Sequence, residues 1–136
     1  MPSPEPSRLR ETGSLLRRVL VVDDDCDVAE SMAMLLDSLG AETRTTNSGA
    51  AAPAAIDAFD PDIVLLDLGM PGLDGFETAR LIRAMEKGRQ IKLVALTGWG
   101  QDQDRRKTRE AGFDLHLTKP ASIEDLKALL ESPKPA

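Results

Sequence analysis

Five residues in this chain have types and spacing that allow them to act together: Asp23, Asp24, Asp67, Thr97 and Lys119. Each stands at the end of a short apolar or β-branched run. Val19–Val22 delivers Asp23 and Asp24, Ile63–Leu66 delivers Asp67, Leu93–Leu96 delivers Thr97, and Leu115–Thr118 leads to Lys119. If the runs are parallel strands, their carboxyl ends share one edge and these groups converge. Three carboxylates brought together repel, and without a cation some of them would be driven to protonate. A divalent cation resolves the repulsion, and an oxygen-only shell with room for waters and a phosphate suits Mg2+. Asp67 can then attack a phosphoryl group as a carboxylate nucleophile. The Thr97 hydroxyl and Lys119 ammonium can bind the phosphoryl oxygens, so that charge is neutralised on several sides. The chemistry these residues fit is phosphoryl transfer.

The elements that must position them can be read from the same pattern. Asp27 and Glu30 have capping-box spacing for a first helix whose apolar positions are Val28, Met32, Leu35 and Leu39, with Gly40 as its stop. Residues 41–46 alternate and are Thr-rich, a strand with a polar face. After Asn47-Ser48-Gly49, an Ala-rich helix turns Ala52, Ala55, Ile56 and Phe59 inward; Pro53 is late for a first-turn proline and predicts an irregular start or a kink, and Asp60-Pro61 ends the helix. Asp74 and Glu77 cap a third helix with Phe76, Ala79, Ile82 and Met85 as its stripe, broken at Lys87-Gly88-Arg89. Residues 101–111 predict a polar, loosely held helix ended by Gly112, and Ser122 caps a last helix built on Ile123, Leu126 and Leu130. Five strands alternating with five helices imply a parallel sheet covered on both faces. Runs 19–22, 63–66 and 93–96 are continuously apolar, as strands buried on both faces must be, whereas the second and fifth are mixed, as edges can be. The fold class is therefore α/β, a flavodoxin-like (βα)5 three-layer sandwich with a five-stranded parallel sheet in the order 2-1-3-4-5.

Composition bounds the setting. With 136 residues and 41% hydrophobic content the chain suits one domain with one core. Residues 1–14 are Pro-rich and polar and read as a disordered tail or linker, residues 15–131 as the domain, and residues 132–136 as a loose tail. A net charge of -6 argues against a nucleic-acid surface and weakly against anionic membranes. One cysteine, Cys26, forms no internal disulfide, and with the single histidine it builds no structural zinc site. No apolar run approaches a membrane span and the N-terminus lacks a signal-peptide core, so a cytoplasmic location is expected.

Val-Asp-Asp at 22–24, Leu-Asp-Leu-Gly-Met-Pro-Gly-Leu-Asp-Gly at 66–75, Ala-Leu-Thr-Gly at 95–98 and Leu-Thr-Lys-Pro at 117–120 resemble response-regulator receiver domains of two-component signalling, over about Val19 to Leu130. The resemblance implies that Asp67 is the phosphoacceptor, taking phosphate from a phosphohistidine on a histidine kinase or phosphotransfer protein. It implies Mg2+ held by Asp24, Asp67 and the backbone carbonyl of Gly69, with Asp23 acting largely through water. Thr97 and Lys119 would engage the acyl phosphate, and the Lys119–Pro120 bond is expected to be cis. Gly69 and Trp99 occupy the two variable positions that set acyl-phosphate lifetime in such domains. Thr97 and His116 take the places of the switch pair, and the His departs from the usual Tyr or Phe; it either weakens the switch or adds a pH-sensitive element. Such a protein is not an enzyme acting on other substrates; it catalyses only its own phosphotransfer and autodephosphorylation. Its output is contact with a downstream protein target or an attached domain, as a monomer or a weak dimer through the face of helix four, strand five and helix five. Ala-Leu-Thr-Gly-Trp-Gly at 95–100 resembles receivers attached to hybrid histidine kinases, and a free-standing regulator is the other version.

Plainer readings stand beside these. Asp23 and Asp24 are also what the positive end of a helix dipole attracts, Lys119 could be a solvated loop lysine, Thr97 a strand-end hydroxyl satisfied by backbone, and His116 a half-exposed edge residue. The rival from another class is a Mg2+-dependent phosphatase of the haloacid dehalogenase type. It needs an acid/base Asp two residues after the nucleophile, where this chain has Gly69. A flavodoxin-like electron carrier is disfavoured by the acids after the first strand, and a phosphotransfer histidine by the placement of His116 in a strand.

Overall fold

The computed structural model describes residues 17–68, 75–97, 105–119 and 121–131. Strands β1 (Arg18–Val22), β2 (Glu42–Thr46), β3 (Ile63–Asp67), β4 (Lys92–Thr97) and β5 (Leu115–Thr118) alternate with helices α1 (Cys26–Ser38), α2 (Ala52–Phe59), α3 (Gly75–Ala84), α4 (Arg105–Ala111) and α5 (Ile123–Glu131). The strands form one parallel sheet in the order β2-β1-β3-β4-β5, as the apolar runs predict. β3 is buried along its whole length, whereas β5 at the rim is only half-buried. Alternation of side chains sorts the core into two layers. Val19, Val21, Ile63, Leu65, Val94 and Leu96 pack under Ala29, Met32 and Leu36 of α1 and Leu126, Leu129 and Leu130 of α5. On the other face Leu20, Val22, Val64, Leu66, Leu93 and Ala95 meet α2, α3 and Ala111 of α4. Among the described residues, no helix is long and apolar enough to cross a membrane.

Several local expectations shift. The cap of α1 is Asp25 rather than Asp27, with its carboxylate accepting from the Asp27 and Val28 amides at 3.0 and 3.2 Å. The buried stripe of α1 is Ala29, Met32 and Leu36; Val28 is only half-buried and Leu35 is exposed, because the helix rolls its small Ala29 against the sheet and leaves both at the margin. In α5 the same happens to Ile123, which is exposed while Leu129 is buried. The irregular start expected at Pro53 takes the form of turns ahead of α2. Residues 47–51 are spent in turns, with the Ser48 hydroxyl accepting from the Ala51 amide, so Pro53 falls within the first helical turn where its missing N–H costs nothing. Gly40 and Gly112 end α1 and α4 with φ of 97° and 108°, as expected of C-terminal glycines. Ser122 caps α5 through its hydroxyl, which accepts from the Asp125 amide at 3.0 Å. The Asp74 cap, the cis bond at Pro120, the first residues of the fourth helix and both tails lie outside the described residues.

Gly88 and Arg83 fix the approach to β4 and β5. A Cβ at Gly88 would land on the carbonyl of Ile82, so the chain can double back over α3 only with glycine there. The Arg83 guanidinium donates to the carbonyls of Gly88 and Ile91 (both 2.7 Å) and Gly112 (2.8 Å) and to the Asp114 carboxylate (2.8 Å). Asp114 also accepts from the Leu93 amide at 2.9 Å. One side chain of α3 thus ties the entrances of the two strands whose far ends lead to Thr97 and Lys119.

Candidate functional site

Parallel pairing brings the strand ends together. Val22 lies opposite Leu66, Asp67 opposite Leu96 and Thr97 opposite Thr118, so the residues that follow β1 and β5 meet the last residues of β3 and β4 at one edge. The backbone continues the ladder beyond the strands, with the Leu68 amide donating to the Leu96 carbonyl at 2.9 Å and the Lys119 amide to the Thr97 carbonyl at 2.7 Å.

Asp23, Asp24 and Asp67 each place a carboxylate oxygen within 4.8 Å of the others. Their surroundings differ. Asp23 and Asp67 are buried, at 1% and 6% exposure, while Asp24 faces solvent. Asp23 is held on every side: its Oδ1 accepts from the Asp25 amide, its backbone amide donates to Thr46, and its carbonyl accepts from the Asn47 side chain. Two buried like charges side by side need a cation. Lys119 supplies it, with Nζ 2.8 Å from Asp23 Oδ2 and 3.0 Å from Asp67 Oδ2. Burial of the ammonium pulls its pKa down, but hydrogen bonds to Asp23 and Asp67 and the attraction of their charges outweigh that and leave Lys119 above its ordinary value.

Thr97 is also buried, at 1% exposure. Its Oγ1 lies 2.9 Å from Nε2 of His116. The register explains the pairing: His116 sits opposite Ala95, two residues before Thr97, so the two side chains share the face covered by α2, α3 and α4. Asp67 continues the opposite face, in phase with Ile63 and Leu65.

The structure therefore brings together Asp23, Asp24, Asp67 and Lys119, and sets Thr97 beside them on the adjoining strand with His116 as its partner. Gly69 and Trp99 lie outside the described residues. Sequence reasoning missed two supporting groups and one contact of a residue it had named. Asp25 serves as the cap, Asn47 holds the Asp23 carbonyl, and Lys119 joins Asp23 as tightly as Asp67. Only the last had a signal, since a lysine facing an acid pair is shared by both.

A family model described as the response regulator receiver domain matches residues 19–131 of the 136. The chain belongs to the response-regulator receiver family. This receiver is 32% identical over 111 residues to the DNA-binding dual master transcriptional regulator RpaA of Synechocystis, covering 82% of this chain and 46% of that protein. It is 31% identical over 113 residues to an uncharacterised 14.6 kDa protein of Leptolyngbya boryana, covering 83% and 86%. The receiver thus spans about half the length of RpaA and most of the second relative. Among solved structures, the receiver domain of the sensor histidine kinase PA1611 of Pseudomonas aeruginosa matches with a TM-score of 0.76 at 30% identity. The match covers 85% of this receiver and 95% of that one, which carries a magnesium ion coordinated in its active-site cleft.

Proposed function

We propose that this receiver takes a phosphoryl group from a phosphohistidine onto Asp67 and signals in that state by protein–protein contact. The observation that carries the reading is Lys119, ion-paired at once with Asp23 after β1 and Asp67 at the end of β3. An oxygen of Asp67 bonds to phosphorus as the P–N bond of the donor breaks, and the bonding pair leaves with the imidazole nitrogen. The Asp67 carboxylate becomes an acyl phosphate. Lys119 already sits on Asp67 and meets the added oxygens with charge, and the Thr97 hydroxyl is the neutral donor on the neighbouring strand.

Asp23, Asp24 and Asp67 form an all-oxygen donor set that fits a hard divalent cation, and with the Gly69 carbonyl they would hold Mg2+. When bound, the ion supplies positive charge against the phosphoryl oxygens. The reaction spends itself on the protein's own side chain, so the receiver is a switch with self-limited catalysis rather than an enzyme with a free substrate. Its partners are a histidine kinase or phosphotransfer protein and a downstream protein or attached domain, met as a monomer or weak dimer through α4, β5 and α5. The net charge of -6 suits protein contacts in the cytoplasm better than contact of this domain with nucleic acid.

Incubation with acetyl phosphate, with and without Mg2+, followed by intact-mass measurement tests the reading. The expected result is one Mg2+-dependent phosphoryl adduct that is lost in Asp67→Asn. Continuous phosphate release at enzymatic rates without an adduct would instead indicate a phosphatase.

A further inference from the structure

The Thr97–His116 hydrogen bond gives the histidine a task that rests on the proposed function. Thr97 has one hydroxyl hydrogen and can donate it to one acceptor. Nε2 of His116, 2.9 Å from Oγ1, takes one of two roles. In the neutral ring with its hydrogen on Nδ1, Nε2 accepts the hydroxyl hydrogen and draws it away from the sheet edge. With a proton, Nε2 donates to Oγ1 and leaves that hydrogen for another acceptor. We propose that His116 is a positioning residue: proton occupancy of its Nε2 decides whether Thr97 can donate to a phosphoryl oxygen on Asp67. The linkage is reciprocal, so phosphate on Asp67 favours hydrogen on Nε2, which the neutral ring reaches by exchanging its Nδ1 hydrogen for one on Nε2 or by taking a second proton from solvent.

His116 is well placed for this. It is half-buried, with Nδ1 shielded from solvent and Nε2 against a buried hydroxyl, and the residue lines a cleft of about 320 Å³. Among the described residues, the charged groups that line the same cleft are Arg109 of α4 and Asp114 at the entrance to β5. Asp114 is engaged by Arg83, and Lys119 beyond β5 is engaged by Asp23 and Asp67. On β4 its partner is the neutral Thr97.

His116 is the single histidine of the chain, so its imidazole resonances can be followed by NMR without ambiguity in untagged protein. Its pKa is to be measured before and after phosphorylation with acetyl phosphate and Mg2+, in the wild type and in Thr97→Val, which keeps shape and loses the hydroxyl. The expected result is an upward shift of about half to one pH unit, the size of one net hydrogen bond, in the wild type and a much smaller one in Thr97→Val. An equal shift in both proteins would mean that the phosphate charge alone is felt, and would overturn the proposal. In parallel, phosphorylation rates of wild type and His116→Phe are compared from pH 8 to pH 6. The ratio of wild type to variant should climb several-fold on acidification, and a flat ratio counts against the proposal. Failure to form any adduct, or formation of the same adduct in Asp67→Asn, would strike instead at the proposed function.

Discussion

At the scale of single residues, Lys119 is the group on which the site's electrostatics turn. It neutralises two buried carboxylates at 2.8 and 3.0 Å, and its own pKa is raised because those partners outweigh its burial. A raised lysine pKa means that the ion pairs contribute in full below the ordinary value of 10.5, and that the contribution is lost as pH climbs through the raised value. Lys119→Met should therefore lower unfolding stability at pH 7 by about 2 kcal/mol, less than for a wholly buried pair because the ammonium keeps some solvent contact. Urea denaturation checks this, and the gap from wild type should narrow above pH 10.5. A gap that persists unchanged at strongly alkaline pH would show that packing, not charge, is what Lys119 contributes.

At the scale of elements, the architecture was legible because continuous apolar runs can only be interior strands; β1, β3 and β4 took those places. That the acids and Lys119 gather at one edge was legible for the same reason, since residues at the carboxyl ends of parallel strands must converge. Which face a helix turns inward was less so. Val28, Leu35 and Ile123 are apolar and correctly spaced, but small Ala29 and the bulk of Leu129 decide the roll, and that is set by packing across the sheet. The cap was expected at Asp27, but the path of the turn gives Asp23 to Lys119, leaves Asp24 on the solvent side and makes Asp25 the cap. The Thr97–His116 bond depends on the β4–β5 register, which no local pattern encodes. Arg83 is the clearest omission: an arginine in a helix's last turn reads as solvent-facing, yet it binds three carbonyls and Asp114. Arg83→Ala leaves those acceptors without their charged donor and should cost about 2 kcal/mol in urea denaturation. A loss near zero would mean that water replaces the guanidinium and that the entrances to β4 and β5 hold themselves.

At the scale of the whole molecule, the fold acts as a frame that sets three acids, a lysine and a threonine on one edge, while the helices seal the core beneath. Ion binding at that edge should be felt globally, because a ligand that binds only the folded state stabilises all of it. Added Mg2+ should raise the thermal midpoint by about 4 °C for each kcal/mol of linkage. Asp24→Asn should remove most of that rise while leaving the ion-free midpoint nearly unchanged, since Asp24 is exposed. An undiminished rise would place the ion elsewhere. The central claim is narrower: Asp67 is the residue that takes the phosphoryl group. It is tested most directly by phosphorylating the protein with acetyl phosphate and Mg2+, trapping with borohydride, which reduces an aspartyl phosphate to homoserine, and locating the change by peptide mass mapping. Homoserine at position 67 alone is the predicted result. Reduction at Asp23 or Asp24, or an adduct on a hydroxyl or imidazole that borohydride leaves intact, would contradict it.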